Sequence, residues 1–455
     1  MMRKPIIANK EQSGIHKIAI LGMGRSGLAS LKLALKNQII AYVFDDNIKQ
    51  IPEEFSGLFK HYSDWPWEEL DSVVFSPGIP TYLPKPHPAS MLSRKFNVPI
   101  ISDIELVIKL QTASKWIAIT GTNGKSTTTA LTSHILRTSG KSVSVGGNLG
   151  TSMAELESPG ADGFRVVELS SYQLEITPSL NPDISVILNL SPDHLERHGS
   201  MENYAIAKAK VLKNVKPYGL IILGSDSNLL PLLPTKYECY LHLINKNDIP
   251  KAVKQNFALS GPHNAENAAV AATICRKIGI REEQIKKAIL SFKGLPHRLE
   301  LVASCNIAGN KLRVINDSKA TNDAAAARAL SSFQHIFWCA GGLAKENSLP
   351  NCIKELKQVN HVFLYGNSKT QFQSELSKLI PTTIVESLEE ATSKAFAAAK
   401  DLTLQEGVDS FVLLSPAAAS FDSFDNFEER GKQFTDLAIK LCRNNLTLRS
   451  QGNAG

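Results

Sequence analysis

The segment Trp116–Ala130, with the sequence WIAITGTNGKSTTTA, restricts the possible folds more than any other part of the chain. A short apolar run predicts a buried strand, a loop with two glycines follows, and the Thr- and Ala-rich segment after it predicts a helix. In such an arrangement the backbone N–H groups and the helix start bind phosphate, the lysine neutralises the outer phosphates, and the hydroxyl after it can ligate Mg²⁺. The general pattern has glycine where Ile119 stands, so the loop is a shorter variant. We therefore interpret the loop as a site for ATP or GTP and not as a plain glycine-rich turn with a surface lysine. The residues expected to bind the nucleotide are Gly121, Thr122, Asn123, Gly124, Lys125, Ser126 and Thr127.

The composition limits the class of protein. A chain of 455 residues exceeds one ordinary hydrophobic core and predicts two to three domains. Its net charge of +7 is spread along the chain without a Lys/Arg block, which favours small anionic ligands and argues against nucleic acid as a partner. No apolar run reaches the length of a membrane-spanning helix, so we expect no membrane partner and a cytoplasmic location.

Two patterns that could hold zinc are incomplete. The six cysteines lie far apart without a C-x-x-C pair, so reduced, buried thiols are expected in preference to disulfides or a zinc site. His194 and His198 stand four residues apart, but the zinc protease motifs need glutamate at position 195 or 197, and leucine and arginine stand there. His194 follows a predicted strand and could ligate a metal, whereas we expect His198 at the surface.

Residues 1–110 are predicted to form a small α/β domain. Lys17–Leu21 predicts a strand that leads into the loop Gly22-Met-Gly-Arg-Ser-Gly27 and a helix, and a second strand ends at Asp45. This G-x-G-x-x-G loop between strand and helix, with an acidic residue about twenty positions later, fits the Rossmann fingerprint. The pattern indicates a nucleotide or nucleotide-sugar site and does not say which.

Two further α/β domains are predicted, at residues 111–296 and 297–455. In the first of them, residues 165–169 and 184–190 predict buried parallel strands, with Glu168 at the end of one and S-P-D-H194 after the other. Ligands of open α/β sheets gather at such strand ends. After residue 297, strands are predicted at residues 312–315, 336–340, 362–365 and 411–414, and the helical stretches between them indicate another parallel sheet. The fold class is therefore α/β with three domains: Rossmann-like at the N-terminus, a central P-loop ATPase-like domain with a parallel sheet, and Rossmann-like at the C-terminus.

Several polar residues allow a simpler interpretation. Glu168 could be a Mg²⁺ ligand or an ordinary acid at a strand end. Lys208 lies on a predicted helix, where a solvated lysine is the default. In the stretch Asn316–Asn322, Asp317 or Ser318 could simply cap a helix. The residues alone leave these alternatives open.

Taken together, the motifs resemble those of the Mur ligase family, the ATP-dependent amide ligases of peptidoglycan precursor synthesis, and the resemblance covers nearly the whole chain. The stretches Asn316–Asn322 and N-F-E-E-R-G431 are similar to the family members that add D-glutamate. The motifs shared more widely, in the order of the family, are T-G-T-N-G-K-S-T127, E-L-S-S171, S-P-D-H194, H-N-A-E-N267 and H-R298.

The resemblance implies roles for individual residues. Lys208 matches a carbamylated lysine, a CO₂ adduct that converts the cation into a carboxylate-like metal ligand. Catalysis is expected from Lys125, Glu168, His194 and Lys208. Two Mg²⁺ ions would be held by Ser126, Glu168, His194 and Lys208. Further ATP contacts would be Asn267, Arg298, Asp317 and Lys319.

The substrate sites follow from the same resemblance. The UDP-sugar would bind Gly24, Arg25, Ser26, Asp45, Gly78, Asn148 and Ser170. D-Glutamate would bind Thr321, Lys345, Ser420 and Phe427. The family commonly has a basic residue soon after the acid at 45, and this chain has Asp46-Asn47 instead.

The implied reaction joins D-glutamate to UDP-N-acetylmuramoyl-L-alanine in a monomeric enzyme that serves cell-wall synthesis and cell division. ATP would phosphorylate the L-alanyl carboxylate, and the amine of D-glutamate would displace phosphate from the acyl phosphate. Another Mur ligase or a folylpolyglutamate synthase-like enzyme is the nearest alternative, against which Asn316–Asn322 argues. An NAD(P)-dependent oxidoreductase built on Gly22–Gly27 leaves the phosphate loop unexplained. A nucleotide-gated binding protein without catalysis leaves Lys125, Glu168 and His194 without a purpose.

Overall fold

Parallel β-sheets covered by helices make up the described part of the chain, so the predicted α/β class is confirmed. The computed structural model describes residues 14–47, 53–111, 114–234, 236, 238–259, 261–344 and 348–452. Two compact units are present, one of Met1–Gln255 with Pro262–Phe292 and one of Asn256–Gly261 with Lys293–Gly455. In the described residues no helix is both long enough and apolar enough to span a membrane.

The first sheet carries the glycine fingerprint. Its strands are β1 Lys17–Leu21, β2 Ile40–Phe44, β3 Ser72–Phe75 and β4 Ile100–Ile101, and the helices are α1 Arg25–Lys36, α2 Pro88–Lys95 and α3 Asp103–Leu110. The strands are parallel in the order β2-β1-β3-β4. The loop after β1 turns tightly into α1, and a Cβ on Gly27 would lie 1.8 Å from the carbonyl oxygen of Gly22. Only glycine fits there, as the fingerprint requires.

The second sheet positions the phosphate loop. Its strands are β5 Lys115–Thr120, β6 Val143–Gly147, β7 Phe164–Glu168, β8 Ile184–Ile187, β9 Leu220–Leu223 and β10 Tyr240–Leu243. The helices are α4 Lys125–Thr138, α5 Ser171–Glu175, α6 Leu195–His198, α7 Met201–Ala209, α8 Pro262–Lys277 and α9 Glu282–Ser291. All six strands are parallel in the order β10-β9-β8-β5-β7-β6. Because Ile119 pairs with Glu168, and Thr120 with Ile187, the carboxyl ends of β5, β7 and β8 lie side by side.

The first two sheets share one hydrophobic core, which explains why they belong to one compact unit. Apolar residues of β1 and β3 lie in the same buried cluster as residues of β5 and β7. Polar contacts join the two parts as well: the Oγ of Ser152 donates to the buried carboxyl of Asp103 at 2.6 Å, and the hydroxyls of Ser102 and Thr177 are 2.7 Å apart. The predicted boundary after residue 110 falls between α3 and β5 and stays a prediction.

The third sheet forms the second unit. Its strands are β11 Glu300–Ile307, β12 Asn310–Asn316, β13 Ile336–Gly341, β14 Val359–Tyr365, β15 Thr382–Ile384 and β16 Ser410–Leu414. The helices are α10 Asp323–Leu330, α11 Pro350–Lys354, α12 Lys369–Leu376, α13 Leu388–Glu406 and α14 Phe427–Gly452. The order is β11-β12-β16-β13-β14-β15, and every pair is parallel except β11 with β12. Consecutive residues of β13, such as Phe337 and Trp338, belong to different core clusters, so both faces of the sheet are covered.

One expectation about the cysteines was wrong. Cys305 on β11 and Cys442 on α14 form a disulfide with Cα atoms 5.7 Å apart. Both lie in one buried cluster although 137 residues separate them, and sequence spacing carried no sign of this proximity. The other four cysteines are free, as expected.

Candidate active site

The phosphate loop connects β5 to α4 as predicted. Gly124, directly before the helix, has a φ of 83°, and a Cβ there would lie 2.2 Å from the Oδ1 of Asn267. Glycine therefore allows the loop to contact α8, where Asn267 lies. The Nζ of Lys125 donates to the carbonyl oxygens of Gly121 at 2.9 Å and Thr122 at 2.8 Å, which holds the ammonium group over the loop.

The segment after β8 supports the other side of the loop. The backbone N–H of Asn123 donates to the Oδ1 of Asn189 at 2.9 Å, and the N–H of Ser191 donates to the Oγ1 of Thr122 at 3.0 Å. Asn189 and Ser191 were not predicted from the sequence as supporting residues. Their position at the end of a predicted strand, next to S-P-D-H194, was the available signal.

Glu168 ends β7 beside the phosphate loop and is 2% exposed. Its Oε1 accepts a hydrogen bond from the side-chain amide of Asn148 at 3.0 Å. Its Oε2 is buried without a hydrogen-bond partner among the described residues. A buried carboxylate oxygen with no partner is costly unless a ligand satisfies it, and a hard cation is the ligand this oxygen suits.

Lys208 is buried in the same region, so the solvated-lysine interpretation was wrong. The residue is 1% exposed, its Nζ donates to the carbonyl oxygen of Gly121 at 2.8 Å, and the same Nζ lies 4.5 Å from the ring centroid of Tyr204. Burial lowers the pKa of Lys208 to about 7, with a further contribution from the charge of Lys125. A large fraction of this amine is therefore neutral near pH 7 and can react as a nucleophile.

His194 lies on the turn between β8 and α6. It precedes α6 in the left-handed conformation, with a φ of 54°, and its half-exposed imidazole lies 5.2 Å from the ring centroid of Tyr172. No group of three or more His, Cys, Asp or Glu side chains suited to a metal occurs among the described residues. A metal ion here would therefore need Ser126 and Lys208 as ligands in addition to Glu168 and His194.

His198 is buried, and the expectation that it would lie at the surface was wrong. It is 4% exposed at the end of α6, and burial lowers its pKa. The hydrophobicity pattern missed this position because α6 has only four residues, too few to show a buried face.

Predicted UDP-sugar residues lie on the loops after β1, β2 and β3, and the last of these loops contacts α6. Asp45 accepts the backbone N–H of Met23 at 2.6 Å, which ties the end of β2 to the loop before α1. The loop that contains the exposed Gly78 continues to Ile79, whose carbonyl oxygen accepts a hydrogen bond from Arg197 at 3.5 Å. The predicted UDP-sugar residues Gly24, Arg25 and Ser26 lie at the start of α1, and Ser170 caps α5.

In the second unit, the stretch Asn316–Asn322 follows β12 and is densely hydrogen-bonded. Asp317 accepts the hydroxyl of Ser415 at 2.8 Å and the backbone N–H of Leu299 at 3.2 Å. Burial raises the pKa of Asp317 to about 7. The Nζ of Lys319 lies 5.4 Å from the ring centroid of Phe427, so two of the predicted ligand-binding residues are neighbours.

Arg430 holds two of these loops together, a role that was not predicted from the sequence. The fully buried guanidinium donates to the carbonyl oxygen of Ser318 at 2.8 Å and to that of Ala418 at 3.1 Å. Thr321 and Ser420 lie on the two loops that it joins. Arg298 precedes β11, and Lys345 lies outside the described residues.

The fold and this geometry define an α/β protein that brings a phosphate-loop motif, a buried carboxylate and a buried lysine together at the carboxyl ends of its parallel strands. Residues 119–240 match the family described as Mur ligase middle domain. The chain is 37% identical over 459 residues to the UDP-N-acetylmuramoylalanine–D-glutamate ligase of Agrobacterium fabrum, covering 93% of this chain and 95% of that protein. It is 36% identical over 469 residues to the enzyme of the same name from Brucella abortus, covering 96% and 97%.

Solved structures show the same fold. The UDP-N-acetylmuramate-alanine ligase of Thermotoga maritima aligns with a TM-score of 0.56 at 20% identity and covers 92% of this chain and 98% of its own. A MurF structure from Acinetobacter baumannii aligns with a TM-score of 0.51 at 18% identity over 71% and 77%. This chain belongs to the Mur ligase family.

Proposed function

We propose that the chain is an ATP-dependent ligase that adds D-glutamate to UDP-N-acetylmuramoyl-L-alanine in peptidoglycan precursor synthesis. The observation that carries the proposal is the 36–37% identity to D-glutamate ligases over at least 93% of the chain. The stretch Asn316–Asn322, whose motif is similar to the D-glutamate-adding members, supports the choice of amino acid.

The reaction needs an activated carboxylate. The γ-phosphoryl group of ATP passes to the L-alanyl carboxylate, giving an acyl phosphate and ADP. The amine of D-glutamate then attacks the acyl carbon, a proton leaves the nitrogen, and phosphate departs as the amide forms. In this mechanism Lys125 and the loop N–H groups stabilise the negative charge on the transferred phosphoryl group.

Two Mg²⁺ ions fit the residues present. Ser126, Glu168, His194 and a modified Lys208 would hold them, and the bound cations would neutralise phosphate charge. The Oε2 of Glu168, which has no hydrogen-bond partner within the described part of the chain, is consistent with a cation ligand. Lys208 suits carbamylation because its pKa of about 7 supplies the neutral amine that attacks CO₂, releasing a proton and leaving a carbamate anion.

The substrate sites are proposed from the residues that match the motifs of the Mur ligase family. The UDP-sugar would bind the loop before α1, with Asp45 and Gly78, and its peptide end would meet Asn148 and Ser170. D-Glutamate would bind Thr321, Lys345, Ser420 and Phe427, and further ATP contacts would come from Asn267, Arg298, Asp317 and Lys319. A monomeric enzyme in the cytoplasm is part of the proposal.

The deciding experiment measures phosphate release from ATP and Mg²⁺ with UDP-N-acetylmuramoyl-L-alanine and one amino acid at a time. We expect release with D-glutamate, and none with L-glutamate, L-lysine or meso-diaminopimelate. Release with another amino acid would keep the ligase chemistry and overturn the D-glutamate assignment. Failure with all four, together with binding of NAD(P)H, would favour an oxidoreductase instead.

A matched pair of lysine variants tests the phosphate loop. Lys125→Ala should lose nearly all ligation while remaining folded, and the ligation is lost because the ammonium group that meets the phosphates is gone. Lys141→Ala, at an exposed lysine beyond α4, should retain wild-type turnover. Substantial turnover by Lys125→Ala would contradict the role assigned to the loop.

A further inference from the structure

A buried cluster around His198 connects the elements that carry the proposed metal ligands. The Nε2 of His198 is 2.9 Å from the Oγ of Ser171, and its Nδ1 is 3.4 Å from the carboxylate of Glu175. Ser171 and Glu175 lie on α5, which begins three residues after Glu168. The imidazole therefore fixes α6 against the helix that follows the Glu168 strand end.

The same ring also contacts Tyr204 on α7, and Tyr204 in turn contacts the phosphate loop. Its centroid lies 5.2 Å from that of Tyr204, whose hydroxyl is 3.2 Å from the Oγ1 of Thr122. The ring of Tyr204 in turn lies 4.5 Å from the Nζ of Lys208. On the other side, Tyr172 contacts both His198 and His194, at centroid distances of 5.5 and 5.2 Å.

This cluster is unsuited to nucleophilic catalysis. Ser171, His198 and Glu175 stand in the order of nucleophile, base and orienting acid. Ser171 is 2% exposed and His198 4% exposed, so a substrate cannot reach the hydroxyl. The contacts hold structure in place and do not form a second active site.

The position of His194 depends on the contacts that hold α6 in place, above all those of His198. A four-residue helix such as α6 has no stability of its own in water. His198 is the buried residue of this helix, whereas Leu195 and Glu196 are exposed. The left-handed backbone at His194 adds a cost of about 1 kcal/mol that the surrounding packing must offset.

We infer that His198 is a positioning residue, which fixes the turn of His194 and the Tyr204–Lys208 face of α7 and so determines the affinity of the metal site. The inference rests on the metal site proposed above. Losing a residue that orients metal ligands typically weakens metal binding 10- to 100-fold. Nucleotide affinity without metal should not change, because His198 contacts none of the loop N–H groups directly.

The test measures Mn²⁺ binding by electron paramagnetic resonance in the presence of ADP and bicarbonate. We expect His198→Ala to weaken Mn²⁺ binding about 10-fold and to leave metal-free ADP binding unchanged. His198→Gln keeps an amide at the position of Nε2, within reach of Ser171, and should restore most of the affinity. Ser171→Ala should weaken Mn²⁺ binding several-fold, and the double variant should lose little more than His198→Ala, because the two residues act together.

A control separates positioning from general loss of stability. His361→Ala removes a half-buried histidine that bonds Thr383 at 2.8 Å in the second unit, and Mn²⁺ binding should stay at the wild-type value. Wild-type Mn²⁺ affinity in His198→Ala, even with a lower melting temperature, would overturn the inference. If that variant does not fold, unchanged affinity in Ser171→Ala overturns it. No ADP-dependent Mn²⁺ binding by the wild type would overturn the proposed metal site and the inference with it.

Discussion

The substitution Lys208→Met should change how protein stability depends on pH. Methionine keeps an unbranched apolar stem in the buried position and removes the titrating amine. In the folded protein, burial lowers the pKa of Lys208 from 10.5 to about 7. Between these two values the unfolded chain binds a proton that the folded protein does not, so the free energy of unfolding of the wild type rises with pH.

The size of the effect follows from the pKa difference. Full linkage gives about 1.4 kcal/mol per pH unit between the two pKa values, and somewhat less near pH 7, where the folded amine is half protonated. From pH 7 to pH 9 the contribution of Lys208 to the free energy of unfolding therefore rises by about 2 kcal/mol. Lys208→Met lacks this contribution, so wild type should gain about 2 kcal/mol relative to the variant over that range.

Urea unfolding followed by tryptophan fluorescence at pH 7, 8 and 9 measures the difference. Trp65, Trp67 and Trp116 report on the unit that contains Lys208. Buffers must be free of metal and CO₂, because carbamylation would consume the neutral amine. Comparing the two proteins at each pH cancels the other titrating groups. A stability difference that stays constant from pH 7 to pH 9 would refute the argument that Lys208 is buried with a lowered pKa.

Three further substitutions test other parts of the structure. Gly124→Ala places a Cβ 2.2 Å from the Oδ1 of Asn267 at a φ of 83°, so the affinity for ATP, measured by calorimetry, should fall at least about 10-fold. An unchanged affinity would show that the loop can rearrange. Arg430→Met leaves the carbonyl oxygen of Ser318 without this buried donor, so we expect the free energy of unfolding to fall by about 3 kcal/mol and the KM for D-glutamate to rise. An unaffected KM would show that Arg430 does not support the proposed amino-acid site. Asp317→Asn should become more stable relative to wild type as pH rises from 5 to 7, because burial raises the pKa of Asp317 to about 7 and over this range the folded wild type holds a proton that the unfolded chain has lost. An equal stability difference between the two proteins at pH 5 and pH 7 would contradict this.

The fold was largely predictable because its strands are short apolar runs that end at turn residues. Lys17–Leu21 was predicted with its observed bounds, and β12, β13, β14 and β16 lie where strands were expected. The edge strand β11 was missed because half of its residues are polar or exposed, a pattern close to that of a loop. Its antiparallel pairing depends on the short turn at residues 308–309, which the expectation of a purely parallel sheet did not include.

The structure of the phosphate loop was predictable because its motif is local, whereas the burial of individual polar side chains was not. The phosphate loop could be read from consecutive residues, since its glycines, Lys125 and helix are contiguous. The states of Lys208 and His198 depend on which side chains surround them, and a single sequence does not specify that. The spacing of Tyr204 and Lys208, four residues apart on one helix, was a signal that the two share a face.

The charges at the strand ends imply that the proposed carbamylation of Lys208 and the proposed metal binding would depend on each other. With Lys208 neutral, the positive charge of Lys125 offsets the carboxylate of Glu168, and the net charge of the metal-free site is close to zero. A carbamate on Lys208 adds a second buried negative charge, which is unfavourable unless a cation accompanies it. Mg²⁺ should therefore favour the carbamate, and by linkage the carbamate should raise the affinity for Mg²⁺ by the same factor.

We expect added bicarbonate to lower the Mg²⁺ concentration needed for half-maximal ligation by wild type. Lys208→Ala supplemented with acetate, which supplies a carboxylate without CO₂ chemistry, should show no bicarbonate effect. An equal bicarbonate effect in both proteins would place the CO₂ chemistry elsewhere than on Lys208.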